Sequence, residues 1–271
     1  MVSELDKRFG GSIPELYDEY LVPLIFECYA SDLAGRVAGL SPQSVLETAA
    51  GSGVVTRALA GRLAEHARYV VTDLNQPMLD RAARRQGADT RIVWQQADAL
   101  DLPFDDSSFA AVLCQFGVMF FPDRVAGFRE APRVLEDGGR FVFNVWDRIE
   151  ENEFADVVTA AAAEFFPEDP PRFLARTPHG YFDIARIGEE VAAAGFTDIC
   201  IETVAAISAA SSPRHPAIAY CQGTPLRNEI EARDAMLLEP ITDRAEAAIA
   251  ERYGTGAVSA KIQAHIVTAK R

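Results

Sequence analysis

Three short segments carry residue types at spacings that point to chemistry. The first is Val45-Leu46-Glu47-Thr48-Ala49-Ala50-Gly51-Ser52-Gly53. It reads as an apolar strand ending in a carboxylate, then small residues and a glycine turn ahead of a helix from Val54. Small residues let the backbone approach a ligand closely, and a helix amino terminus presents N–H groups. The second is Val71-Thr72-Asp73-Leu74, which puts a carboxylate at the end of the next strand, 20 residues beyond Gly53. Neighbouring strand ends share one edge of a sheet, so this carboxylate can accept both hydroxyls of a ribose. The third is Gln96-Ala97-Asp98-Ala99, where Asp98 follows a further strand and is placed to accept from an exocyclic adenine amine.

A glycine loop, a ribose carboxylate and an adenine-edge carboxylate on successive strand ends make a nucleoside site without phosphate-binding groups. A dinucleotide fingerprint G-x-G-x-x-G is broken at its third glycine by Thr56, and the Gly-Lys-Ser/Thr ending of a phosphate-cradling loop is absent. Glycines in such a loop also have a simpler role as a strand-to-helix turn. The two carboxylates have theirs as helix caps or solvated loop groups.

Other polar positions have two readings each. His179, within Arg176-Thr177-Pro178-His179-Gly180-Tyr181, is either a solvated loop histidine or a proton acceptor beside a substrate. The run Gly223-Thr224-Pro225-Leu226-Arg227-Asn228-Glu229-Ile230-Glu231 is either an exposed helix start, with Thr224 as cap and Pro225 in the first turn, or an element that recognises a substrate. Tyr17 and Tyr20 either pack in a leading helix or close over a ligand. Met78, Phe116 and Met119 are core residues or pocket wall. His66, His179, His215 and His265 are scattered with no paired-ligand spacing, so no metal is expected.

The elements that must position these residues emerge from periodicity. Pro14 to Val37 reads as one or two helices with a kink or restart at Pro23. Strand–helix alternation then begins. Strands are expected at Ser44–Thr48, Tyr69–Thr72, Ile92–Gln95, Phe109–Gln115 and Arg140–Trp146. Helices are expected at Gly53–Leu63, Gln76–Gln86 and Arg124–Leu135, the last ended by an Asp137-Gly138-Gly139 turn. Further on come helices at Asn152–Phe166 and Ile184–Ala194, a strand at Thr197–Ala206, helices at Pro216–Leu238 and Arg244–Tyr253, and a last strand at Gly256–Ala269. The alternation predicts right-handed βαβ units in one α/β domain. Leading helices would occupy residues 1–40 and a ligand-binding core 41–150. A helical elaboration with the last two strands would fill 151–271.

Composition narrows the partners. The 271 residues carry a formal net charge of −14, which argues against a polyanionic substrate or an anionic membrane surface. Cys28, Cys114, Cys200 and Cys221 form no CxxC pair and read as free thiols of a reducing compartment. Met1 to Gly10 lacks an apolar leader, and no apolar run approaches the ~18 residues of a membrane span. The expectation is a cytoplasmic protein acting on a small molecule.

The ordered motifs resemble one family: the class I S-adenosylmethionine-dependent methyltransferases, in their ubiquinone/menaquinone-biosynthesis-like (type 11) branch. The resemblance rests on Glu47 to Gly53, Thr72-Asp73-Leu74-Asn75-Gln76-Pro77-Met78-Leu79, Asp98-Ala99-Leu100-Asp101-Leu102-Pro103-Phe104, Ser108-Phe109 through Gln115, and Arg133-Val134-Leu135-Glu136-Asp137-Gly138-Gly139. It covers residues 40 to 150, with a weaker likeness at Gly195-Phe196 and the last strand. It implies a doubly wound, mostly parallel seven-stranded sheet and S-adenosylmethionine as cofactor. By the same resemblance Gly51 and Gly53 lie under the cofactor's amino-acid and ribose portions, and Glu47, Ala49 and Ser52 of the same loop also bind it. Asp73 would hold the ribose, Asp98 with Ala99 the adenine edge, Leu74 and Met78 the adenine face, and Gln115-Phe116 the methionine end. The family's usual first glycine is Ala49 here, and Glu47 stands for its commoner aspartate.

The reaction this resemblance implies is methyl transfer by direct displacement to a small-molecule acceptor. Acceptor specificity would reside in the leading helices and the Pro167–Thr255 region. Three rival readings are a methyltransferase of tRNA or protein, a protein that binds the cofactor or its demethylated product without turnover, and a nicotinamide-dependent oxidoreductase.

Overall fold

The computed structural model describes residues 13–271; the reading of Met1–Gly10 lies outside them. Helix α1 (Ile13–Leu16) runs into a π-helical segment, Tyr17–Phe26, and then α2 (Glu27–Gly39). Pro23 lies inside the π-helical segment. Proline lacks the N–H of an α-helical ladder and its ring crowds the carbonyl four residues back. A widened turn accommodates it, so the expected kink is replaced by a local change of helix type.

Seven strands are hydrogen-bonded in the order β3-β2-β1-β4-β5-β7-β6. They are β1 (Ser44–Glu47), β2 (Arg68–Asp73), β3 (Ile92–Gln96), β4 (Phe109–Gln115), β5 (Leu135–Trp146), β6 (Thr197–Ala210) and β7 (Val258–Lys270). Strands β1 to β5 pair in parallel. The bonds Arg271 N–H to Gly139 O and Asp147 N–H to Gln263 O run in opposite chain sense, which makes β7 antiparallel to β5. Strand order reverses at β1, whose neighbours are β2 and β4. In a doubly wound sheet ligands bind at this switch point, outside the carboxyl ends of the strands.

The chain forms two compact units. One comprises residues 27–145, 182–204 and 265–271. Val45, Leu46, Tyr69, Val70, Val71, Leu113 and Cys114 are fully buried there, as parallel strands covered on both faces require. Helix α3 (Val54–Ala60) packs on α2, α4 (Gln76–Gln86) lies along β2 and β3, and α5 (Arg124–Val134) packs on α8 (Ile184–Ala193). Rings of Phe128, Phe141, Phe143 and Phe196 stack through this core at centroid spacings of 4.8 to 6.1 Å.

The expected turn at Asp137-Gly138-Gly139 is instead a bulge inside β5. Pairing jumps from Phe109↔Leu135 to Ala111↔Arg140, and Gly138 takes φ +80°. The extra residues are held against β4 rather than leaving the sheet.

The other unit comprises residues 1–26, 146–181 and 205–264, described from residue 13. Besides α1 and the π-helical segment, it holds α6 (Glu153–Ala163), α7 (Phe173–Arg176), α9 (Arg214–Cys221), α10 (Leu226–Asp234) and α11 (Leu238–Tyr253). The expected single helix over 216–238 is broken at Gly223. There a side chain would meet Ala219 O at 2.6 Å. Thr224 caps the restart by accepting the Leu226 N–H at 3.2 Å.

Candidate functional site

The loop between β1 and α3 is built from left-handed turns. Ala49, Gly51 and Gly53 all have positive φ, at 52°, 57° and 75°. Gly53 also has no room for a side chain: a Cβ there would lie 2.9 Å from the Ala82 methyl of α4. Most of the loop's N–H groups are already taken up within the protein. Ala50 donates to Thr72 O at 3.0 Å, Gly53 to Ala50 O at 2.9 Å and Gly51 to Asp73 Oδ2 at 2.8 Å. A phosphate-binding loop keeps such groups free for its anion; this one turns them inward, towards a carboxylate that would repel a phosphate.

Asp73, at the end of β2, is the centre of that arrangement. Its Oδ2 accepts from Gly51, and its Oδ1 accepts from the Asn75 N–H at 2.7 Å. It is 6% exposed. Burial raises its pKa, and the N–H donors of Asn75 and Gly51 act against that. Each carboxylate oxygen keeps a further lone pair for a ligand hydroxyl.

Leu74 beside it is half exposed, and buried Met78 comes within 3.9 Å of the Cβ position at Gly51. The end of β3 is tied to the same place by Gln96 Nε2 to Leu74 O at 2.8 Å and Ala97 N–H to Asp73 O at 3.1 Å. Asp98 follows on the exposed surface next to half-buried Ala99. One oxygen of Asp98 accepts the Leu100 N–H at 2.9 Å.

Glu47 has its carboxylate beneath the loop. It accepts from the Thr56 hydroxyl of α3 at 2.8 Å and from the Tyr69 hydroxyl of β2. Burial pushes its pKa up to about 7, against the two hydroxyl donors and Arg57. The structure thus gives Glu47 partners inside the fold. Thr56, the residue that breaks the dinucleotide fingerprint, is one of them.

On the other side of β1, Gln115 ends β4 and Phe116 turns with φ +50°. That turn lies close against the glycine loop: a side chain at Gly117 would approach the Ala49 methyl to 2.6 Å. The Phe116 ring meets Tyr29 of α2 edge-on at 5.5 Å. Met119 is buried at 2% exposure. Three buried polar atoms along this edge have no hydrogen-bond partner: Ser52 Oγ, Gln115 Oε1 and Asn144 Nδ2. Buried polar groups are normally satisfied, so unmet ones call for an explanation such as a ligand. Sequence reasoning misses Asn144. Its signal is a lone amide inside the apolar run Phe141-Val142-Phe143-Asn144-Val145.

The donor set fits S-adenosylmethionine. Acceptors for hydroxyls stand at Asp73, an apolar surface at Leu74 and Met78, and unmet amide and hydroxyl groups at Ser52, Gln115 and Asn144. No metal-holding group of three His, Cys, Asp or Glu side chains occurs among the described residues.

His179 lies in the other unit and is buried, 5% exposed, rather than solvated. Its Nδ1 lies 2.8 Å from Asp147 O, which makes Nδ1 the protonated nitrogen and leaves the Nε2 lone pair as acceptor. Its ring packs on Trp146 at 5.9 Å, and burial pushes its pKa down to about 4. Thr224 and Pro225 do start a helix there, but its face is not exposed. Glu229 is buried and accepts from Arg172 N–H at 2.7 Å, Phe173 N–H at 3.1 Å and Arg176 Nη1 at 2.8 Å. Tyr17 packs on Phe26 and Tyr20 on His215.

Residues 46–143 match a methyltransferase-domain family. Over 106 residues the chain is 42% identical to a demethylmenaquinone methyltransferase of Clavibacter sepedonicus, covering 39% of this chain and 42% of that protein. It is 32% identical over 147 residues to the ubiquinone/menaquinone biosynthesis C-methyltransferase UbiE of Bartonella henselae, covering 51% and 56%. The chain therefore spans about half the length of the curated relatives it matches. Among solved structures, phosphoethanolamine N-methyltransferase 2 of Haemonchus contortus, in complex with phosphomonomethylethanolamine and S-adenosylhomocysteine, shares the fold. Its TM-score is 0.61 at 16% identity, over 98% of this chain and 59% of that one. Residues 46–143 thus match a methyltransferase domain, and the fold is the one the methyltransferase neighbours share.

Proposed function

We propose that this chain binds S-adenosylmethionine at the carboxyl ends of β1, β2, β3 and β4 and transfers its methyl group to a small-molecule acceptor. The observation that carries this reading is the Asp73 carboxylate, buried at the switch point and held by the Gly51 and Asn75 N–H groups with lone pairs to spare. Most of the neighbouring loop N–H groups, which a nucleotide phosphate would need free, are taken up within the protein. In this reading Asp73 accepts the ribose hydroxyls, Asp98 and Ala99 border the adenine edge, and Leu74 and Met78 cover its face. Glu47 supports the loop from beneath by fixing Thr56 and Tyr69, so that Ala49, Gly51, Ser52 and Gly53 present backbone and the Ser52 hydroxyl.

The bound cofactor supplies a methyl group already activated on a sulfonium. The protein's share is alignment of the acceptor and exclusion of water, and orientation alone removes a large part of such a barrier. A carbon acceptor on an electron-rich ring attacks the methyl through the ring carbon and sheds its ring proton after the C–C bond forms, so the displacement itself needs no base. An oxygen or nitrogen acceptor needs a base. The formal charge of −14 favours a small acceptor over nucleic acid and a cytoplasmic setting over a membrane surface.

Isothermal calorimetry with S-adenosylmethionine, S-adenosylhomocysteine, NAD and NADP tests the reading. Saturable binding of the first two alone is expected. Binding of a nicotinamide nucleotide instead, or of none of the four, would overturn it. Transfer of a labelled methyl group to candidate acceptors then separates an enzyme from a protein that only holds the cofactor.

A further inference from the structure

Beneath the glycine loop the fold buries a carboxylate among neutral groups. Glu47 is 1% exposed. Its Oε2 accepts from the hydroxyls of both Thr56 and Tyr69. Cys114 of β4 faces it as a neutral thiol, its pKa pushed up to about 12 by burial. Asp73 of β2 is the other carboxylate acting on it, and it opposes ionisation. Arg57 of α3 is the cation that favours ionisation, while its Nη1 donates to Ser52 O at 2.7 Å. A buried charge is costly unless a counter-charge meets it, and a carboxyl in such a place keeps its proton instead. Burial accordingly pushes the Glu47 pKa up to about 7.

The same groups tie this carboxylate to the loop that the cofactor would occupy. Thr56 and Arg57 stand in the first turn of α3, just after Gly53. Arg57 holds Ser52 O, and Asp73 holds the Gly51 N–H. The Thr72 hydroxyl donates to Glu47 O at 2.9 Å and fixes the ends of β1 and β2 to each other. A ligand on this loop therefore lies next to two carboxylates whose hydrogen-bond donors are uncharged hydroxyl and backbone groups. S-adenosylmethionine carries a positive sulfonium, and its demethylated product a neutral thioether. An added positive charge favours the ionised carboxyl, and its removal favours the protonated one.

We propose that Glu47 balances the charge of the cofactor site with a proton: it releases one to water when S-adenosylmethionine binds and takes one up when S-adenosylhomocysteine stands in its place. The carboxyl O–H bond breaks with its electron pair left on oxygen, so one proton enters the solvent for each carboxylate formed. The proposal rests on the S-adenosylmethionine reading above and concerns the regulation of that same site. Rising pH removes the Glu47 proton in advance and so favours the cofactor over its product.

The test counts protons. Calorimetry of the full chain at about pH 6.5, in buffers of different ionisation enthalpy, gives the protons exchanged as each ligand binds. For a shift of about one unit, the wild type releases about half a proton with S-adenosylmethionine, and less with S-adenosylhomocysteine. In Glu47→Gln, which has no proton to give, the difference between the two ligands is expected to vanish. From about pH 6 to 8 the wild type's preference for S-adenosylmethionine should rise roughly 3- to 5-fold relative to that of the variant.

Equal proton release with the two ligands in the wild type would overturn the proposal. So would a difference that persists in Glu47→Gln. If that variant does not fold, Tyr69→Phe takes its place. It removes a hydroxyl that stabilises the carboxylate, so the pH of greatest release should move up; an unmoved maximum overturns the proposal. Failure of the wild type to bind either ligand would remove the cofactor reading itself. Binding without protons linked to Glu47 removes this proposal alone.

Discussion

Asp73 closes two turns with one side chain. It closes the glycine loop through Gly51 and the β2 turn through Asn75, and in the proposed reading it also takes the ribose. Asp73→Ala removes an ionised acceptor whose hydrogen bonds are worth ~1.5–3 kcal/mol each. Calorimetry should show S-adenosylhomocysteine binding weakened by about 2–4 kcal/mol, roughly 30- to 700-fold; an unchanged dissociation constant would sink the assigned role. The place of Asp73 at the carboxyl edge of the sheet was legible in the sequence, because the apolar run Val70-Val71 marks the strand that it ends. Glu47 shows where such reading stops. Its type and position suggested contact with the ligand, but in a strand a side chain's face is decided by what covers it, and Thr56 and Tyr69 cover this one. His179 misled in the same way. Flanking proline and glycine marked a loop, and nothing in the chain announced that Trp146 and Asp147 would bury it.

At the scale of elements, the loop is seated by contacts between helices rather than by its own sequence. Gly53 combines φ +75° with a Cβ position 2.9 Å from Ala82 Cβ and 3.4 Å from Ala82 Cα. Gly53→Ala therefore incurs both left-handed strain, ~1–2 kcal/mol, and a clash that must move α4. An overall loss of about 2–4 kcal/mol in urea unfolding is expected, of the size of other overpacking and backbone effects. Adding Ala82→Gly should return the clash portion and leave the strain. Additive destabilisation in the double variant would mean that α4 does not bear on the loop. Strand and helix order was readable because apolar runs, glycine turns and Pro77 at the start of α4 agreed with one another. The π-helical segment across Pro23 and the bulge at Gly138 were not. Proline and glycine signal an interruption, and whether the chain widens, bulges or ends there depends on its neighbours in the sheet and core.

For the molecule as a whole, the acidic balance shapes partners and pH response together. Many arginines already sit on carboxylates: Arg91 on Asp89, Arg133 on Glu130 and Asp106, Arg214 on Glu239, Asp243 and Glu246, Arg244 on Glu164. Such pairs leave these cations committed within the fold rather than offered to a phosphate backbone. Against this background two buried groups give the fold opposite pH slopes. Glu47 is raised from 4.5 to about 7. Between those values the native chain holds a proton that the unfolded chain has lost, so stability falls as pH rises through that window. His179 is lowered from 6.5 to about 4. Between those values the unfolded chain takes up a proton that the native chain refuses, so stability falls as pH drops through it. Each amounts to about 3 kcal/mol at full extent, and from 4.5 to 6.5 the two oppose each other. Urea melts across pH 4 to 8 should therefore separate them. The stability of Glu47→Gln relative to wild type should climb as pH rises from 4.5 to 7. That of His179→Asn, which keeps a donor for Asp147 O, should climb as pH falls from 6.5 to 4. A constant offset from the changed side chain is expected in each, so the slope is what decides. Parallel pH curves for variant and wild type would show that the group does not titrate in the buried state described here.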